Sequence, residues 1–199
     1  AGIVGICCAY FLKKSGLKVT LIDKNEPGSM TSYGHACTFA DYASIPVNSS
    51  KLFYQIPSML AKSDGPLSVD LFYVLKNLNW SFQFLKNCTP KQVNYISSSL
   101  GSILSHSTLA YDEIFKEVDV TEFIKKEECL YLYKTEQAFK NEIETTNLRI
   151  KNGVKLKELS RNEIKDLEPN LSEIYYNGHL FLGSRHTNNP QALSKKIFD

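Results

Sequence analysis

The spacing of apolar residues predicts an α/β protein that opens with a helix and a strand. Apolar residues recur at helical spacing from Ile6 to Lys14, and Gly16 stands where such a helix would end. Residues 18–23 (Lys-Val-Thr-Leu-Ile-Asp) are rich in β-branched side chains, which predicts a buried parallel strand. Together they predict the second half of a βαβ unit. We therefore expect the chain to begin inside that motif, as a fragment or without its first residues.

The rest of the chain predicts helices first and then alternating strands and helices. Residues 31–43 are polar and aromatic and predict a long loop. Two long helices are predicted at 67–86 and 91–117. The later predicted elements are strand 129–133, helix 136–151, strand 154–159, a capped short helix from Ser160 to Glu168, strand 178–182 and a helix after Asn189-Pro190.

Composition narrows the classes of function. Hydrophobic residues make up 43% of the 199 positions, enough to bury a sizeable core. The formal net charge is only +2 and basic residues alternate with acids, which argues against nucleic-acid binding. The five cysteines show no CxxC spacing, so we expect reduced thiols in a cytoplasmic protein and no metal site. No apolar run reaches the roughly 18 residues typical of a membrane-spanning helix.

The first 23 residues carry part of a dinucleotide-binding fingerprint, namely the spacing G-x-x-G followed by an acid at the end of the predicted strand. Gly2 would allow a pyrophosphate to approach the backbone, and Gly5 would allow the helix to pack closely on the strand. The helix start at Ile3 and Val4 would direct N–H groups at the anion. Asp23 would accept hydrogen bonds from ribose hydroxyls.

The loop at 27–36 favours a flavin over a nicotinamide cofactor. Its sequence, Pro-Gly-Ser-Met-Thr-Ser-Tyr-Gly-His-Ala, places small and hydroxyl residues just beyond the expected ribose site. The pyrophosphate and ring system of FAD extend in that direction and need a close approach to backbone. An ordinary Gly/Ser turn is the alternative interpretation.

These motifs resemble the glycine oxidase and D-amino-acid dehydrogenase family of FAD-dependent oxidoreductases. The resemblance begins with Ala-Gly-Ile-Val-Gly at 1–5 and Thr-Ser-Tyr-Gly-His-Ala at 31–36. It continues through segments spread over nearly the whole chain, at 19–23, 27–28, 64–68, 80–85, 130–136, 167–171 and 186–190. The implied fold is a Rossmann-like FAD-binding domain with an inserted α+β substrate domain. The implied divisions are FAD-binding domain 1–50, substrate domain 51–185 and return segment 186–199.

The implied activity is oxidation of the Cα–N bond of a D-amino acid, with hydride passing to flavin N5. The imine then hydrolyses to a keto acid and ammonia, and the electrons pass to a quinone or another acceptor, or to oxygen. Catalytic residues are expected beyond Asp199 and are not named. By analogy, the inserted helices imply peripheral association with the inner face of the cell membrane.

The resemblance also assigns site residues. Cofactor-binding positions are Gly2, Ile3, Val4, Gly5, Asp23, Lys24, Thr31, Ser32, His35, Ala36 and Cys37. Substrate-facing positions are Phe39, Tyr42 and His186. Two positions depart from the family pattern, which usually has Asn where His35 stands and Gly where Cys37 stands.

Three alternatives stay open at this point. The first is another flavin enzyme, acting on sarcosine, glycine, proline or a hydroxy acid. The second is a nicotinamide-dependent dehydrogenase, and the third is an inactive fragment or a non-catalytic subunit.

Overall fold

The computed structural model describes residues 1–48 and 70–199, which form a mixed arrangement of helices and short strands. The helices are α1 (Ile3–Lys14), α2 (Leu71–Lys76), α3 (Leu78–Lys86), α4 (Pro90–Leu104), α5 (Ser107–Glu117), α6 (Glu136–Asn141), α7 (Ile143–Lys151), α8 (Arg161–Leu167) and α9 (Pro190–Phe198). The strands are β1 (Thr38–Phe39), β2 (Ile124–Lys125), β3 (Cys129–Tyr133), β4 (Leu156–Ser160), β5 (Asn177–Phe181) and β6 (Arg185–Thr187).

The described strands form two antiparallel sheets of three strands each. The first has the order β1-β6-β2, with His186 opposite Thr38 on one side and Lys125 on the other. The second has the order β3-β5-β4, with His179 of the central strand opposite Tyr131. The first sheet therefore joins the loop after residue 31 to the segment just before α9.

Two predicted helix boundaries are confirmed, and both depend on local chemistry. Gly16 follows α1 with φ of 82°, and the N–H of Leu17 donates to the carbonyl of Leu12 at 3.1 Å, as in a Schellman ending. At the start of α8, Ser160 and Glu163 form the predicted capping box.

The prediction of a strand at 18–23 is wrong, because the structure contains no strand there. The segment forms no regular secondary structure, and no described strand pairs with it. Ile22 is 89% exposed, whereas a buried parallel strand would cover such a side chain.

The predicted long helices are each interrupted in the described residues. Helix 91–117 breaks between α4 and α5, where the Ser105 hydroxyl and the His106 ring both bond to the carbonyl of Ser102. These side chains compete with the helical ladder for the same acceptor. The described part of helix 67–86 breaks at Asn77, whose amide donates to the carbonyl of Tyr73 at 2.9 Å. Residues 67–69, and the motif at 64–68, lie outside the described residues.

Helix 136–151 is also divided, because α6 ends and α7 begins at Glu142. The loop predicted at 31–43 contains β1, and the predicted return segment begins inside β6. Both strands are only two or three residues long, too short for the alternation of polar and apolar residues to reveal them.

A hydrophobic cluster brings the two ends of the described chain together. Ile6 of α1 packs with Ile114 of α5 and with Leu193 and Ile197 of α9, and all four are at most 7% exposed. Burying an aliphatic side chain of this kind contributes about 1.5–3 kcal/mol. The cluster therefore fixes the amino end of α1 beside α9. No helix in the described part of the chain is long and apolar enough to cross a membrane.

Candidate functional site

The amino end of α1 presents backbone donors. Gly2 caps the helix in an extended conformation, and the N–H of Ile3 donates to the Ser32 hydroxyl oxygen at 2.9 Å. Among the described residues, no acceptor meets the N–H groups of Val4 and Gly5. Because the helix dipole adds partial positive charge at the same place, these donors suit an anionic group such as a phosphate.

A cavity of about 680 Å³ lies at this end of α1. Residues from both the glycine turn and the 31–39 loop line it, as the sequence analysis grouped them. The predicted site residues on its wall are Gly2, Ile3, Val4, Gly5, Thr31, Ser32, His35, Ala36 and Phe39. The structure thus brings most of the predicted site residues to one place.

Further residues line this cavity that carry no recognisable motif in the sequence. They are Thr38, Ala40, Leu104, Ser107, Tyr111, Thr187, Pro190, Leu193 and Ser194. Tyr111 meets Phe39 edge to face, with the ring centroids 4.7 Å apart. The sequence gives one indication for Thr187, which lies just before the helix start at Asn189-Pro190 and next to the predicted substrate residue His186. No local pattern marks Tyr111.

The structure leaves little room for a side chain at Gly2 but does leave room for one at Gly5. A β-carbon at Gly2 would lie 3.2 Å from the Ser32 hydroxyl oxygen, so the turn is tight there. At Gly5 a β-carbon would meet only Leu21, at an ordinary 3.9 Å. Close packing of α1 on the 18–23 segment therefore does not demand glycine at position 5. Its contribution is an open backbone on the cavity wall.

The loop that carries Ser32 and His35 is attached at both ends. Gly28 has φ of 70°, and a β-carbon there would lie 2.6 Å from the β-carbon of Ser194 on α9. Near the other end, the N–H of Thr187 donates to the carbonyl of Cys37 at 2.8 Å. The loop is therefore held between α9 and the first sheet.

Cys37 has a backbone conformation that glycine adopts more readily than any other residue. Its φ is 65°, the one positive value among the described non-glycine residues. L-residues rarely adopt this region because the β-carbon crowds the following carbonyl. Cys37 does not line the large cavity. It lies instead on a smaller one of about 330 Å³, beside Cys129, Arg185 and His186.

Asp23 and Lys24 lie outside the cavity lining. Both are exposed, and the Asp23 carboxylate accepts the N–H of Asn25 at 2.9 Å. The ribose contact assigned to Asp23 stays a prediction.

Of the three predicted substrate residues, the structure places only Phe39 on the large cavity. Tyr42 is 5% exposed, stacks on Phe181 at 4.4 Å and donates to the Cys129 sulfur at 3.1 Å, so it belongs to the packing of the second sheet. Burial raises its pKa. His186 lies 3.7 Å from a Glu127 carboxylate oxygen on the smaller cavity, because neighbouring residues of a strand point to opposite faces.

Comparison with known proteins identifies the family of this chain. Residues 1–198 match the model of the family described as DAO, FAD dependent oxidoreductase. The chain belongs to the DAO family. Membership and FAD as the family's cofactor are therefore confirmed, and the described residues form the mixture of helices and strands expected for part of this fold.

Two relatives illustrate the DAO family match. A D-amino-acid oxidase from Bradyrhizobium diazoefficiens is 30% identical over 178 residues, covering 88% of this chain and 42% of the relative. A D-amino acid dehydrogenase from Helicobacter pylori is 28% identical over 169 residues, covering 84% and 40%. The chain thus spans less than half the length of these relatives.

Solved DAO family structures show the same fold. An L-alpha-glycerophosphate oxidase from Mycoplasma pneumoniae with FAD bound matches with a TM-score of 0.58 and 19% identity, covering 99% of this chain and 39% of that one. A glycine oxidase from Geobacillus kaustophilus matches with a TM-score of 0.57 and 14% identity, covering 99% and 41%. At such identities the likeness shows the fold alone.

Proposed function

We propose that this chain supplies part of the FAD site of an enzyme that oxidises D-amino acids. The observation that carries the proposal is the pair of open N–H groups at Val4 and Gly5, at one end of the 680 Å³ cavity, in a chain of the DAO family. The residues present fit the cofactor, because its pyrophosphate needs backbone donors and its rings need a mostly apolar cleft.

Several residues of the cavity wall would hold FAD. The N–H groups of Val4 and Gly5 would bind the pyrophosphate, and the Ser32 hydroxyl, which accepts from Ile3, keeps its own proton available for donation. The aromatic pair of Phe39 and Tyr111 would exclude water from the part of the cavity that it lines. When bound, FAD supplies the hydride-accepting chemistry that oxidises the Cα–N bond of an amino acid.

The choice of D-amino acids is supported by the two curated relatives, a D-amino-acid oxidase and a D-amino acid dehydrogenase. The solved structures with the same fold act, by their names, on glycine or L-alpha-glycerophosphate. D-amino acids are our proposed substrates, with a quinone or oxygen as the electron acceptor.

The experiment is a visible spectrum of the purified full-length protein before and after anaerobic addition of D-alanine, with L-alanine as the control. Loss of the yellow colour with the D-isomer alone supports the proposal. A protein that stays yellow keeps its FAD but excludes D-alanine, and glycine, sarcosine, proline and glycerophosphate are tested next. A colourless protein that does not take up added FAD refutes the cofactor site.

We also propose the domain division expected from the sequence, with an FAD-binding part at 1–50 and 186–199 and a substrate part at 51–185. The packing of α1 on α9 supports the first grouping. Residues from α4 and α5, within the second part, complete the cavity wall. On this division the cofactor would lie between the two proposed parts.

Association with a membrane surface is proposed for α2 and α3. Their aromatic residues Phe72, Tyr73, Trp80 and Phe82 are 63–70% exposed. Residues 71–111 include three lysines and no acid. Aromatic and lysine side chains suit the interface of an anionic bilayer. We expect the full-length protein to sediment with vesicles containing phosphatidylglycerol and not with phosphatidylcholine alone; equal recovery in both supernatants would contradict the proposal.

A further inference from the structure

The imidazole of His35 is bonded to its own loop through one ring nitrogen. The main-chain N–H of Cys37 donates to Nδ1 of His35 at 2.8 Å. A ring nitrogen that accepts a hydrogen bond carries no proton, so in the neutral ring the proton lies on Nε2. The loop thus selects one of the two tautomers.

The backbone that supplies this donor is itself fixed. Cys37 has φ of 65°, and its carbonyl accepts the N–H of Thr187 at 2.8 Å. The next residue, Thr38, begins β1 and pairs with His186 of β6. The direction of the Cys37 N–H is therefore set by the first sheet.

His35 lies on the wall of the large cavity, near Thr31, Ala36 and Phe39. With Nδ1 occupied by Cys37, the ring has one remaining polar group, and it is a donor. FAD has acceptors along its whole length, in its phosphate, ribose and ring carbonyl oxygens.

We propose that His35 donates a hydrogen bond from Nε2 to an acceptor of FAD, and that the main chain of Cys37 is the positioning group that holds this tautomer. This inference rests on the proposed FAD site. It predicts that glutamine, whose amide nitrogen can lie near the position of the imidazole Nε2, can replace His35, and that a ring of similar size without a donor cannot.

The first measurement is the tautomer of His35, from two-bond ¹H–¹⁵N correlations of full-length protein labelled at histidine. We expect an unprotonated Nδ1 and a protonated Nε2 before FAD is added, and a shift of the Nε2–H signal once it is bound. A proton on Nδ1, or an Nε2–H signal that does not respond to FAD, overturns the inference.

The second measurement is the dissociation constant of FAD, from fluorescence titration of the apoprotein. Loss of one hydrogen bond weakens binding about tenfold, so His35→Phe should lose about that much and His35→Gln should stay near wild type. The control is His106→Phe, at an exposed histidine that does not line the cavity. Equal affinity of His35→Phe and wild type overturns the inference while the FAD site stands. A wild-type protein that does not bind FAD overturns both.

Discussion

Substitution of Gly28 by alanine tests how the loop is seated on α9. The backbone there has φ of 70°, which costs an L-residue about 1–2 kcal/mol. The added β-carbon would lie 2.6 Å from the β-carbon of Ser194 and 3.3 Å from the carbonyl oxygen of Gln191. Ser194 is 1% exposed, so neither neighbour can move unless α9 shifts. Overpacking of this kind adds about 1–3 kcal/mol. We expect Gly28→Ala to lower the free energy of unfolding by about 2–5 kcal/mol.

Gly16→Ala is the matched control, because it separates the conformational cost from the packing cost. Gly16 has φ of 82°, yet nothing lies within 4 Å of the position where a β-carbon would be added. Its substitution should therefore cost only about 1–2 kcal/mol. Urea denaturation of the wild type and both variants, followed by fluorescence, gives the two differences in unfolding free energy.

The double variant Gly28→Ala with Ser194→Gly removes one of the two colliding groups. It should recover part of the packing cost, which gives a coupling energy of at least about 1 kcal/mol between the two sites. If Gly28→Ala costs no more than Gly16→Ala, or if the two substitutions are additive, the close packing of the loop on α9 is refuted.

Three further predictions follow from single residues. Cys37→Gly should raise the free energy of unfolding by about 1 kcal/mol, because it relieves the positive φ of 65°, whereas Cys37→Ala should not; equal urea midpoints would contradict this. Burial lowers the pKa of His179 below its usual 6.5, so near and below that pH the unfolded chain binds more protons than the folded chain. The free energy of unfolding should therefore decrease as the pH drops through about 6.5. Thermal melts at several pH values should show a weaker pH dependence for His179→Gln than for the wild type. Asp112→Asn should cost about 1–3 kcal/mol in urea denaturation at neutral pH, because it leaves the buried Arg185 without the carboxylate now 2.8 Å away; an unchanged midpoint would show that solvent screening of the half-exposed Asp112 removes the effect.

Local chemistry was sufficient to predict several features of the fold. The glycine after α1 and the capping box of α8 depend on a few neighbouring residues, and both are present as predicted. The breaks at Asn77 and Ser105 were not predicted, because apolar spacing continues through them and only side-chain bonds to helical carbonyls interrupt the ladder.

The candidate site likewise contains residues that the sequence predicts and residues that it does not predict. The turn at 2–5 and the loop at 31–36 are short motifs with a recognisable chemistry, and the structure brings them to one cavity. Leu104 and Tyr111 reach the same cavity only because α4 and α5 pack across it, and no nearby residue signals that packing. His186 is the predicted substrate residue, but its neighbour Thr187 lines the cavity. A strand of three residues is too short for its sequence to reveal which face is buried.

The cluster that seats Ile6 against Leu193 has a consequence for how each new molecule matures. These two residues leave the ribosome about 10–40 s apart at typical rates of synthesis of 5–20 residues per second. During that interval the apolar side of α1 has no access to α9, and the glycine turn lacks the wall formed by Thr187 and Ser194. A ligand that needs the complete wall of the large cavity can therefore bind only after α9 has been made.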